Sequence, residues 1–385
     1  MQFLSDGDEV PELPRLEVIH TRTVSTGTGS VLLVRGRAGL TANAAPGGRH
    51  GQGRQGEAVP PGGKQEVRTR AVAVQRTGGT PELMELPDPR PAPGEVLVKL
   101  AAASVNPIDW QIANGLFEGR MPHTFPLILG VDGAGRVEAV GEAVRALRPG
   151  DTVHGQFLRA PIGSGTFADL VTVPEHLDTG VIQPVPDGIP PEIAAALPTA
   201  GMTALGAVDA IGPQAGQPVL ILGATGGVGA LAVQLAAAHG AEVIATARPD
   251  ADRWIQQLGA SDTADHTTGD LTAQVRKAHP GGIDALLDLT GDQACFAECA
   301  ALVRDGGMAL SVAFAATPHM LASRRITIIN YMMDNKTDLL ARIAATAAAG
   351  RIKVPVQRAV PLAQTPEALA RNRAGGARGK TVVRI

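Results

Sequence analysis

The chain has 385 residues, 44% of them hydrophobic and 18% charged, with a formal net charge of -3. That is long enough for two domains with buried cores, and it lacks the basic surplus that nucleic acid or an anionic membrane would select. Aromatic residues make up 3% of the chain, too few for base-stacking platforms, and two cysteines, Cys295 and Cys299, cannot build a disulfide framework, so a reducing, cytoplasmic setting is expected.

The first residues include Asp6, Asp8 and Glu9, with no basic start and apolar run of a secretory signal. Residues 38–64 are rich in Gly, Pro, Gln and Arg, and a strand-like island at 30–35 has no evident partner. Residues 1–66 therefore read as a disordered N-terminal extension. Patterned sequence begins abruptly at Arg70. Either the natural protein starts at Val67 or the extension is a flexible tail.

Short strands follow at 71–75, 95–103, 133–140 and 151–155, separated by Pro- and Gly-rich turns; this is an all-β lobe. The character changes near Pro190. A helix at 191–196 leads into strands at 219–222, 242–246, 284–289 and 308–312 alternating with amphipathic helices, the pattern of a parallel, doubly wound α/β sheet. Residues 326–333 form a late apolar strand at the sheet edge. The chain closes with a strand at 354–360, a helix at 365–373 and a strand at 381–385. The uncharged run 218–238 is as long as a membrane span, but its central glycines favour a buried strand followed by a packed helix.

That run holds the most informative motif. Strand 219–222 is followed by Gly223-Ala224-Thr225-Gly226-Gly227-Val228-Gly229 and then by helix 230–239. The glycines permit a tight turn and a close-lying phosphate, and the helix start presents unpaired N–H groups and a positive dipole end. A second strand ends at Thr246, about where a dinucleotide's adenosine ribose lies. No carboxylate stands at that strand end to hold a ribose 2′-OH; Asp250 comes later. Arg248 offers a planar fork for a 2′-phosphate, so NADPH is expected over NADH.

Several further motifs, in order, carry a resemblance. They are Ser104-Val105-Asn106-Pro107-Ile108-Asp109, Leu129-Gly130-Val131-Asp132-Gly133-Ala134-Gly135, Gly165-Thr166-Phe167-Ala168, Thr199-Ala200-Gly201-Met202-Thr203-Ala204, the glycine turn, and Ala377-Arg378-Gly379-Lys380. From about Arg70 to Ile385 the chain resembles a zinc-independent medium-chain dehydrogenase/reductase of the quinone oxidoreductase (zeta-crystallin-like) group. The resemblance implies a GroES-like, partly open β-barrel catalytic domain at 67–195, completed by 353–385, and a Rossmann NADP-binding domain at 196–352. It also implies a homodimer paired through the edge strand.

Zinc alcohol dehydrogenases of this superfamily place a cysteine where Asn106 stands and a His-Glu pair where Val131-Asp132 stands. A catalytic zinc needs three N, S or carboxylate ligands, which Asn106 and Val131 do not supply. His123, His154 and His176 stand singly, and Cys295 and Cys299, one helical turn apart, read as packing residues. Without a metal, hydride from a reduced nicotinamide suits an electron-poor acceptor: a quinone, or the β-carbon of an α,β-unsaturated carbonyl.

By resemblance, Asn106 lies near the nicotinamide and the substrate carbonyl, and Thr203 contacts the cofactor. His266 falls beside the adenosine, Phe314 at the nicotinamide ribose, and Tyr331 and Met332 at the nicotinamide end. Asn106 before proline is equally a turn former. Tyr331 is either a proton donor or a residue of the dimer-edge strand; Lys380 either approaches the cofactor phosphates or is a charged edge before the last strand. Gln111 and Asp169 stand where relatives often carry tyrosine, leaving the substrate pocket less aromatic. A short-chain dehydrogenase is excluded, because Asn335 follows Tyr331 where a lysine is required. A zinc alcohol dehydrogenase and a catalytically silent NADPH-binding protein remain as rivals.

Overall fold

The computed structural model describes residues 68–385. The expectations for the N-terminal extension, its strand-like island and a start at Val67 lie outside the described residues.

The first lobe is built from β1 (Arg68–Val74), β2 (Glu82–Pro87), β3 (Glu95–Ser104), β4 (Leu127–Ile128), β5 (Asp132–Val140), β6 (Thr152–Gln156), β7 (Leu170–Pro174) and β8 (Val181–Pro184). One helix, α1 (Pro107–Ala113), interrupts them. Proline at its first position and Asp109 in a capping box with Asn106 explain why a helix starts there. The expected strands at 71–75, 95–103, 133–140 and 151–155 match β1, β3, β5 and β6 to within three residues at each end. β2, β4, β7 and β8 were not foreseen. β2 alternates exposed and half-buried residues with hardly any buried apolar position, so it has no hydrophobic signature.

The link to the second lobe is α2 (Pro191–Ala196), which Leu197 joins directly to α3 (Pro198–Ile211). Ten of the eleven residues from Pro198 to Val208 of α3 are buried, as befits a helix covered on most sides.

A six-stranded sheet forms the centre of the second lobe: β9 (Pro218–Leu222), β10 (Glu242–Thr246), β11 (Asp262–Ala264), β12 (Ile283–Asp288), β13 (Val303–Ser311) and β14 (Thr327–Asn330). Its spatial order is β11-β10-β9-β12-β13-β14, and every pairing is parallel. The order reverses at β9, the first strand of the sheet, so the crevice at the carboxyl ends of β9 and β12 is the switch point where an open α/β sheet binds ligands. Crossovers include α4 (Gly229–Ala238), α5 (Asp252–Gln257), α6 (Leu271–Ala278) and α7 (Gln293–Ala300). β9 to β10 are fully apolar over their inner residues because both faces are covered. β14 sits at the edge as expected, but is shorter than the run 326–333 that suggested it.

After a short α8 (Pro318–Leu321) and α9 (Lys336–Ala348), the chain returns to the first lobe. β15 (Val356–Pro361) and β16 (Lys380–Arg384), joined through α10 (Thr365–Arg373), extend its seven-stranded sheet, with β16 antiparallel to β3. That return carries residues 374–380 past the switch point.

Candidate functional site between the two lobes

Strand β9 ends in a turn that requires glycine at two positions, Gly223 and Gly229. Gly223 has φ +75°, and a Cβ on Gly229 would stand 2.3 Å from the Gly223 carbonyl oxygen. Gly229 must therefore be bare for α4 to start this close to its strand. A Cβ on Gly227 would meet the Lys380 stem at 2.6 Å. The hydroxyl of Thr246, at the end of β10, accepts from the Gly223 N–H at 3.0 Å and donates to the Ile221 carbonyl. Turn and second strand are thus tied. With Thr225, Gly226, Gly227 and Val228 half-exposed over the start of the ten-residue α4, the turn fits a pyrophosphate.

Arg248 is exposed, directly before the short turn Pro249–Ala251. His266 is exposed in the turn after β11, where Asp265 accepts from the Thr267 and Thr268 hydroxyls and is held down to about 2 by them.

At the other side of the switch point, the loops after β12 and β13 are braced from below. The buried Asp288 carboxylate accepts from the Thr290 N–H and hydroxyl and from the Ser311 hydroxyl, whose oxygen in turn accepts from the Ala313 and Ala315 N–H groups. This holds Phe314 at φ +61° with the residue 42% exposed. A non-glycine residue kept in that region is a strained position of the kind that clusters at ligand sites. Asn330 fastens the same loop by exchanging two hydrogen bonds with the Ala316 backbone.

The contacts of Met332, Thr203, Tyr331 and Lys380 show what surrounds each of these expected site residues. Met332 is 59% exposed, whereas its neighbour Met333 places its sulfur 3.3 Å from the Thr203 hydroxyl. Thr203 donates to the Thr199 carbonyl within α3. The Tyr331 phenol packs against α3 at Gly206, where a Cβ would overlap its oxygen, and burial together with Asp334 and Asp209 pushes it up to about 12. Lys380 does not direct its ammonium at the phosphate turn. Its stem crosses Gly227, and its Nζ donates to the Val105 carbonyl and, at 2.5 Å, to Asn106 Oδ1.

Lys380 opens a buried polar chain that the sequence did not reveal. Asn106 Nδ2 donates to the Ser104 carbonyl and to Asp132 Oδ2 at 2.9 Å. Asp132 also accepts from the Thr199 N–H and hydroxyl and from Ser104. The Thr199 hydroxyl accepts from Gln156, whose Oε1 receives Lys336 Nζ. Asp109 accepts from the Asn106 and Val131 N–H groups. Both N–H bonds of the Asn106 amide are thus committed inside the protein, and its side chain is a bracket between Lys380 and Asp132, not a free donor to a carbonyl. Burial raises Asp109 to about 8 against its two backbone bonds, raises Asp132 against the pull of Lys380, and lowers Lys380 against the pull of both carboxylates. The one sequence signal was Asp132 beside Val131 at a position where relatives bind metal; nothing local pointed to Lys380 as its companion.

His123, His154 and His176 do not converge: His123 pairs with the Met121 carbonyl, His154 with that of Ala194, and His176 faces Glu175. Among the described residues no three His, Cys, Asp or Glu side chains gather as a metal cage would require, and no helix is long and apolar enough to cross a membrane. Cys295 and Cys299 share α7, with Cys299 buried and its thiol pushed up by burial, as inert packing residues are.

The chain is similar to known proteins. The family described as alcohol dehydrogenase GroES-like domain matches residues 92–187, and that described as zinc-binding dehydrogenase matches residues 258–383. The mitochondrial NAD(P)H oxidoreductase RTN4IP1 of Bos taurus is 30% identical over 335 residues, covering 76% of this chain and 82% of the relative. The chloroplastic quinone-oxidoreductase QR1 of Triphysaria versicolor is 30% identical over 336 residues, covering 82% and 98%. Among solved structures, an NAD-dependent alcohol dehydrogenase superposes with TM-score 0.72 at 30% identity, covering 82% of this chain and 99% of that one. The quinone oxidoreductase from Coxiella burnetii superposes with TM-score 0.70 at 26% identity, covering 83% and 100%.

Proposed function

Because the chain belongs to the medium-chain dehydrogenase/reductase family, with quinone oxidoreductases among its relatives, we propose that this oxidoreductase uses NADPH. In this reading it passes hydride, without a metal, to a quinone or to the β-carbon of an α,β-unsaturated carbonyl. The nicotinamide supplies the hydride when it is bound. The protein's own residues bind it, orient it and shield the acceptor from water.

The observation that carries the metal-free part is the fate of the positions where zinc-using relatives hold their ligands. Asn106 and Asp132 are buried and hydrogen-bonded to each other, Val131 is a buried apolar residue, and a lysine ammonium stands at 2.5 Å on the remaining side of Asn106. A cation is already built into the place, and each polar atom around it has an internal partner. The glycine turn would hold the pyrophosphate, Arg248 the 2′-phosphate and His266 the adenosine side. Phe314, Thr203 and Met332 or its neighbour Met333 would border the nicotinamide end. Asn106 and Lys380 would position the loop 105–109 beside the acceptor. We assign residues 67–195 with 353–385 to the catalytic domain and 196–352 to the cofactor domain, and β14, the edge strand of its sheet among the described residues, to the contact of a homodimer.

Stopped-flow oxidation of NADPH, with chelator present, against quinones, enones and enoyl thioesters tests this. Turnover on at least one class is expected. Tight NADPH binding with no turnover on any would replace the reading with a silent binding protein, and turnover abolished by the chelator would replace it with a zinc dehydrogenase.

A further inference from the structure

The loop 374–379 runs from the phosphate turn to Arg248 at the far side of β10. Gly379 is pinned to the phosphate turn: its N–H donates to the Thr225 carbonyl at 2.8 Å, and it forms a bridge with Gly226. From there the loop runs to the ribose end of the site. Gly375 and Gly376 adopt φ +79° and +73°, and the position a Cβ would take on Gly376 lies 3.6 Å from Arg248 Nη2. No side chain separates the loop from Arg248. The base of Arg378 is fixed by its N–H donating to Gln357 Oε1 at 3.1 Å. Its guanidinium then reaches Asp250 and pairs with it through Nη2.

Asp250 is the first carboxylate after β10, the group a ribose 2′-OH would seek in an NADH site. It is exposed, and an exposed ion pair adds little to stability. The pairing therefore acts on the ligand side. It withdraws the carboxylate from the ribose hydroxyl, and two guanidinium groups against one carboxylate leave a net positive charge. Arg378 still has N–H donors beyond the one given to Asp250, in the fork geometry that grips phosphate.

We propose that Arg378 is a second cation of the 2′-phosphate site and that, by masking Asp250, it sets the preference for NADPH over NADH. This rests on the NADPH reading above. The test compares kcat/KM for NADPH and NADH, and calorimetric binding of 2′,5′-ADP and 5′-AMP, in wild type, Arg378→Ala and Arg378→Ala/Asp250→Asn. Arg378→Ala should lower kcat/KM for NADPH by about 10- to 100-fold, the usual weight of a charge-assisted bond. It should weaken 2′,5′-ADP but not 5′-AMP, and raise kcat/KM for NADH as Asp250 is released. The double variant should lose that NADH gain. A poorly folded variant would weaken both fragments together and so cannot imitate the result. Equal shifts for both cofactors, or unchanged 2′,5′-ADP binding, overturn the proposal while NADPH preference in wild type stands. A wild type that favours NADH and binds 2′,5′-ADP no better than 5′-AMP overturns the NADPH reading itself, and this inference with it.

Discussion

Lys380→Met should be among the most damaging single substitutions outside the hydrophobic core. Methionine keeps an apolar stem over Gly227 but removes an ammonium whose residue is only 4% exposed. Asp132, fully buried, then loses the cation that favours its charged form, and the Val105 carbonyl and Asn106 Oδ1 lose a donor. Leaving the Val105 carbonyl and Asn106 Oδ1 without their donor in a buried site costs about 1–3 kcal/mol each, and no solvent screening reduces it here. Chemical denaturation at neutral pH would measure the loss. Asp132→Asn and the double variant complete a cycle. If Lys380 serves Asp132, the double variant should be less destabilised than the sum of the singles by about 0.5–3 kcal/mol. A cost below about 1 kcal/mol for Lys380→Met, together with additivity within about 0.5 kcal/mol, would refute the network as described.

Three further outcomes follow from particular contacts. Gly229→Ala forces a Cβ to 2.3 Å from the Gly223 carbonyl, so NADPH binding by fluorescence titration should be lost or severely weakened; unchanged affinity would show that the turn has another purpose. Phe314→Gly relieves φ +61° and should raise stability by about 1 kcal/mol in thermal melts while raising KM for NADPH; an unchanged KM would remove Phe314 from the site. Burial holds the His154 imidazole below its usual value with Nε2 unpartnered, so the unfolded chain binds its proton first. Its contribution to stability is complete above about pH 6.5 and is lost as pH falls through the lower folded value. His154→Asn, which keeps a donor toward the Ala194 carbonyl, should flatten that acid-side decline in denaturation midpoints; an identical slope would exclude His154 as its source.

The sequence made the second lobe legible because a parallel sheet covered on both faces writes itself as apolar runs separated by helices. β9, β10, β12 and β13 were all anticipated, with the start of β13 misplaced because Arg304–Gly307 is polar and bulged against β12. The first lobe was read less completely. Its missed strands are short or, like β2, lie in the open, where alternation is weak. The polar centre was illegible for a different reason. Asn106 and Lys380 are 274 residues apart, and Asp250 and Arg378 are 128 apart. No local period records such a contact; only the return of β16 to pair with β3 creates it. The same return brings the Lys380 ammonium to Val105 and Asn106, and after β14 Met332 is exposed while Met333 reaches Thr203.

A dinucleotide bearing a 2′-phosphate, held over the glycine turn, is the claim on which the rest stands. Fluorescence titration of NADPH and NADH into wild type and Arg248→Ala, with chelator present, tests it most directly. The account predicts tighter binding of NADPH by wild type, a loss of about tenfold or more for NADPH in the variant, and little change for NADH. Equal losses for both nucleotides, or no binding of either by wild type, would contradict it.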